Sequence, residues 1–226
     1  MRVLKHEWIQ DPITLDRKKT TVLVLENPKF FREFVLGVSE QIEDDEHFLI
    51  CHDDLKEFQL SKCALLITNL FDIPIDEKKT STLLYKDMEK SVSDEVRTGL
   101  ERISMTINSF IADLIEDYSI PLTYTPNLSL TSLMKLVDVR PEYHPSSFLQ
   151  ALLDRIRTLS SLFKKNLFFV VNIHDVLEHE ELAIFYEEVA LMDIDLIILD
   201  SREPKAILPS ERVVIIDSDL CEILKS

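Results

Sequence analysis

The spacing of apolar residues follows a strand period, then a helical one, then a strand period again. Residues 21–25 ("TVLVL") form a β-branched, leucine-rich run, and a helical pattern covers 28–42, with Pro28 suited to a first helical turn. "HFLIC" at 47–51 and "CALLITNL" at 63–70 read as two further strands, so the first 70 residues suggest a doubly wound α/β unit. From about residue 80 the period changes. Val96, Leu100, Ile103, Ile107, Phe110, Leu114 and Tyr118 step by three or four, which predicts one helix over 93–117. At about 1.5 Å per residue it would be on the order of 36 Å long, so it should project from a sheet rather than cover it.

Pro121 and Pro126 break the helical pattern, a short helix follows over 128–137, and a second amphipathic stretch runs over 146–163. Phe148, Leu149, Leu152, Leu153, Ile156, Leu159 and Phe163 share one side of it. Two long helices with apolar faces predict an antiparallel helical arm. "NLFFVVNI", "IDLIILDS" and "RVVIIDS" are then strands, with a helix in "EELAIFYEEVALM" and "LCEIL" closing the chain. The expected fold class is α/β: a discontinuous head over 1–79 and 164–226, and an inserted helical leg over 80–163.

With 226 residues, 46% of them hydrophobic, the chain can bury a core. Three cysteines are too few for a disulfide framework, no leader pattern precedes them, and the apolar runs are strand-sized, so a reducing cytoplasm is the expected location. A net charge of −16 excludes a protein that coats nucleic acid with its whole surface, and confines any DNA contact to a local basic patch. The two glycines, Gly37 and Gly99, exclude both GxxxxGK[ST] and GxGxxG, since each needs clustered glycines to free amides for a phosphate. The strand-to-helix junction at Glu26, Asn27, Pro28 and Lys29 is thus a packing corner. "LFFVVN" ends on Asn172 where a magnesium-anchoring acid would be needed, which argues against ATP hydrolysis.

His174 and His179 in "NIHDVLEHEE" are five apart, whereas HExxH needs four, so zinc is a poor fit and a solvated loop with Asp175 as helix cap is simpler. "CHDD" at 51–54 with Cys63 fits no common finger, and core cysteines are the simpler reading. Neither a GxSxG elbow nor a cysteine in an activating context supplies a nucleophile. Arg97, Arg102, Lys135, Arg140, Arg155, Arg157, Lys164 and Lys165 gather in or beside the helical middle. They read either as helix-surface charge paired with Glu101, Asp154 and their neighbours, or as a face for a nucleic-acid backbone without sequence readout.

The ordered segments "TVLVLEN", "LLITNLFDIPID", "LLYKDMEKSVSDEVRTGLERI", "LMKLVDVRPEY", "LFKKNLFFVVN" and "YEEVALMDIDLIILDSRE" resemble the Csn2 family, the small CRISPR-associated spacer-acquisition proteins of subtype II-A loci. The likeness covers nearly the whole chain and is weakest over 1–15 and 117–130. It implies a P-loop-NTPase-like head with a degenerate nucleotide site, an inserted leg, and a homotetrameric ring whose basic inner wall binds double-stranded DNA at free ends. It also implies a non-catalytic role in adaptation, beside the integrase and the RNA-guided nuclease of the locus. Under that resemblance the DNA contacts fall to Arg97, Arg102, Lys135, Arg140, Lys164 and Lys165. Family members bind calcium through acids near the joint of head and leg, which here leaves Asp113, Glu116 and Asp117. The following "YSIPLTYTPNLS" carries prolines and threonines where further acids are expected, and calcium needs six to eight oxygens. The competing class is a protein-interaction scaffold with a degenerate ATPase head and only minor DNA contact.

Overall fold

The computed structural model describes residues 2–16, 19–53 and 56–225. The elements, in chain order, are β1 (Arg2–Lys5), β2 (Ile13–Thr14), β3 (Thr20–Leu25), α1 (Pro28–Asp44), β4 (Ile50–Asp53), β5 (Lys56–Glu57), α2 (Leu60–Cys63) and β6 (Ala64–Ile67). There follow α3 (Glu77–Lys90), α4 (Asp94–Glu116), α5 (Leu130–Leu136), α6 (Phe148–Ser161), β7 (Leu167–Val171), α7 (His179–Leu191), β8 (Asp195–Asp200), β9 (Glu211–Ile216) and β10 (Glu222–Lys225). The class is mixed α/β, as the alternating periods predict. The chain forms two compact units, Met1–Ile75 with Tyr143–Ser226, and Asp76–Glu142.

The first unit is built on a six-stranded sheet of order β10-β9-β3-β8-β7-β6, in which β3 runs parallel to β8 and β9, and β6, β7 and β8 are parallel neighbours. Only β10 is antiparallel, against β9. Strand β3 needs its unbroken apolar run because both faces are covered: Val22 and Val24 enter one core, Leu23 and Leu25 the other. Helix α1 closes the second core with Phe34 and Val38. It begins where Asn27 Oδ1 accepts from the Lys29 amide at 3.0 Å and Pro28 takes the first turn. Gly37 is required there, since a Cβ would lie 2.4 Å from the Phe48 ring.

Two expectations are corrected. The strand read at 47–51 is β4, which belongs not to the parallel sheet but to a four-stranded sheet of order β2-β1-β4-β5, antiparallel to β1. Ile50 is exposed and its neighbour Cys51 is buried, so the two faces of this strand differ in cover. Helix α6 is not half of a helical arm. Leu149, Leu152, Leu153, Ile156 and Leu159 are buried in the first core with Phe168, Val170 and Phe185, so 143–163 joins the first unit. An apolar stripe records that a face is covered, not what covers it.

The second unit holds α3, α4 and α5. Helix α4 matches the predicted 93–117 to within a residue at each end; Ser93 caps it through the Val96 amide at 3.4 Å. It has no buried residue, and Val96, Phe110 and Leu114 are 49%, 65% and 55% exposed. The proline-rich segment after it doubles back, as Asn108 Nδ2 donates to the Pro126 carbonyl at 2.7 Å and Tyr124 Oη to the Asn108 carbonyl at 3.3 Å.

Candidate functional site

The six cations expected at DNA fall into two groups. Arg97 and Arg102 on α4 and Lys135 on α5 are exposed and make no ion pair among the described residues, while Arg140 reaches Asp138 at 3.7 Å. All four belong to the second unit. Lys164 and Lys165, in the first unit, each hydrogen-bond the chain itself: Lys164 Nζ donates to the Ser161 carbonyl at 2.6 Å and Lys165 Nζ to the Ser61 carbonyl at 2.8 Å. Lys164 also sits in the left-handed region, φ 58°, at the turn between α6 and β7. The pairing expected of ordinary helix charge does hold for Arg157, which meets Asp154 at 3.2 Å and Glu188 at 3.4 Å. The Arg155 guanidinium lies 5.2 Å from the Tyr143 ring centroid.

Asp113, Glu116 and Asp117 are exposed at the end of α4, and among the described residues no group of three or more His, Cys, Asp or Glu side chains is placed to hold a metal ion. Asp113, Glu116 and Asp117 thus do not by themselves form such a group. The same holds for Cys51 with Cys63, whose thiols are both pushed up by burial, Cys51 to about 12; Asp54 of "CHDD" lies outside the described residues.

At the β3–α1 junction several groups of the helix start are engaged. Asn27 occupies the Lys29 amide, Pro28 has no N–H, and the Glu26 amide donates to the Ile216 carbonyl at 3.1 Å. This is not the run of free, glycine-borne amides that a phosphate loop presents.

A buried polar cluster lies across the sheet at the turn after β7, which the sequence reading treated as a solvated loop. His174 Nδ1 meets Asp200 Oδ2 at 2.5 Å, and Nε2 meets Glu211 Oε1 at 2.8 Å. Tyr186 Oη and the Leu208 amide donate to Glu211 at 2.8 and 2.7 Å. Burial alone would lower the His174 pKa, but its bonds to the two carboxylates outweigh it and raise the pKa to about 9. Burial pushes Asp200 up; for Glu211 burial is outweighed by the donors around it, and its pKa is held down. Both imidazole nitrogens are taken by carboxylates, so His174 ties β8, β9 and the turn together and has no nitrogen free for a substrate proton. A cavity of about 420 Å³ opens beside it, bordered by Asn172, Arg202 and Lys205.

Asp175 is not the helix cap. It lies in a 3-10 turn and accepts from Arg202 at 3.0 Å, while Glu178 and Glu181 form the reciprocal cap of α7. The sequence signal for the buried cluster was an acid at the end of one apolar strand, Asp200 in "LIILDS", and another at the start of the next, Glu211 in "ERVVII". Acids in such positions are buried with partners or not at all.

The family model described as CRISPR-associated protein Cas_Csn2 matches residues 41–220, most of the chain. No curated protein matches it.

Proposed function

The chain belongs to the Csn2 family of CRISPR-associated proteins, and on that premise we propose that it is a non-catalytic, double-stranded DNA-binding protein of spacer acquisition. It holds free duplex ends in a homotetrameric ring with a basic inner wall. The observation that carries this reading is that Arg97, Arg102 and Lys135 stay exposed and unpaired on a chain of net charge −16. Abundant acids could have paired them; left free, they can displace the counterions of a phosphate backbone.

Three further observations support parts of it. The uncovered apolar stripe of α4 suits contact with another chain, and a closed ring repeats each phosphate contact once per subunit. The glycine-free β3–α1 turn on a central parallel strand suits a P-loop-NTPase-like head whose nucleotide site has degenerated, from which the second unit is an inserted leg. His174, with both nitrogens engaged, suits a head without catalysis. The work is done in the cytoplasm beside the integrase and the RNA-guided nuclease of the locus.

The α4 stripe also favours a second reading, a scaffold that docks partner proteins and touches DNA little. Light scattering together with gel retention tests the first. The proposal expects a four-subunit mass and salt-sensitive retention of linear over closed circular duplex; a monomer that shifts no duplex at low salt contradicts it.

A further inference from the structure

Helices α3 and α5 run antiparallel: Tyr85 Oη donates to the Val139 carbonyl at 2.8 Å, while Thr131 Oγ1 donates to Glu89 at 2.6 Å, so the later residue on α3 meets the earlier one on the α5 segment. Tyr85 and Glu89 mark the line of α3 that faces α5. Thr131 and the buried Met134 mark the line of α5 that faces α3. At about 100° per residue, Lys86 and Lys90 lie roughly 80° and 120° past the first line, and Lys135 lies roughly 70° past the second. On two right-handed helices running in opposite directions, offsets of the same sign fall on the same flank of the pair. Lys86, Lys90 and Lys135 therefore share one flank.

All three are exposed, and none makes an ion pair among the described residues. The α3 acids nearest to them are accounted for. Glu89 is held by Thr131, and Asp87 lies roughly 180° from the α5-facing line, on the far side of the helix. Lys86 and Lys90 are one turn apart, about 6 Å between Cβ atoms, and an ammonium on a flexible stem meets a phosphate as a point charge without reading sequence.

We infer that Lys86 and Lys90 extend the nucleic-acid surface of Lys135, gripping the phosphate backbone of duplex DNA along the flank of α3 and α5. The inference rests on the DNA-binding reading above and adds two residues that the sequence pattern did not single out. Fluorescence anisotropy of a linear duplex with the full chain, across salt, tests it. Lys86→Gln/Lys90→Gln should weaken binding at least tenfold at 100 mM salt and flatten the slope of log affinity against log salt by about 1.8 for each subunit that grips the duplex. Lys62→Gln/Lys205→Gln, which removes the same charge from exposed positions of the first unit, should bind as the unaltered chain does. Unchanged affinity and slope for the α3 variant overturn the inference while leaving the DNA reading intact. An equal loss in the control variant overturns the location. Failure of the unaltered chain to bind duplex overturns the reading and the inference together.

Discussion

Helix α6 and helix α4 carry apolar stripes of the same period, yet six residues of α6 are buried and none of α4 is. Against the sheet, Ile156 is sealed completely, while Phe110 on α4 keeps 65% of its surface. A stripe closed within the chain is a stability device. One left open on a helix of 23 residues is a surface waiting for a partner, and the unpaired Arg97 and Arg102 lie on that same helix. Under the proposed function this is a division of labour, in which the first unit holds the fold and the second meets other molecules.

That contrast can be broken most forcefully by truncation. Ile156→Ala should cost about 4 kcal/mol in urea unfolding, because it opens a cavity in a closed core. Phe110→Ala in dilute chain should stay within about 0.5 kcal/mol and instead weaken assembly. Similar losses from both would show that α4 is as closed as α6.

His174 gives the next largest effect. His174→Gln leaves Asp200 and Glu211 buried without their shared cation, at a cost of about 3 kcal/mol. The pH dependence has a definite sign. The folded pKa, about 9, lies above the unfolded value near 6.5, so the stabilisation is complete below about 6.5 and disappears as pH rises through about 9. Urea midpoints at pH 6 and pH 10 should therefore differ in the unaltered chain and differ much less in the variant.

The two glycines repeat the contrast on a smaller scale. Gly37→Ala drives a methyl into the Phe48 ring and should destabilise by about 1–3 kcal/mol. Gly99→Ala, in the interior of α4 with nothing within 4 Å, should stabilise by about 0.5–1 kcal/mol.

Where the apolar runs are continuous, the sequence is easily read: β3, β7, β8 and β9 have cores on both faces and no other way to satisfy them. The start of α1 is equally plain, because Asn27 and Pro28 each act within one turn. The fate of α6 was hidden, since its period shows that one face is covered and not whether the sheet or another helix covers it. Strands β1 and β2 escaped notice because four and two residues of mixed polarity show no period. At the candidate site the cations were legible as residues but their freedom was not. Lys164 and Lys165 stand beside Arg97 and Arg102 in any charge count, and only the turn geometry shows that their ammonium groups are already bonded to carbonyls. The cluster of His174 with Asp200 and Glu211 joins residues 26 and 37 positions apart, a distance that no motif spans.

The central claim, that free cations of the second unit hold the duplex, is tested most directly by charge reversal. Anisotropy of a linear duplex with Arg97→Glu/Arg102→Glu/Lys135→Glu should show affinity lower by about a thousandfold at low salt, with the light-scattering mass and helical circular dichroism unchanged. Affinity and salt slope equal to those of the unaltered chain would contradict the account.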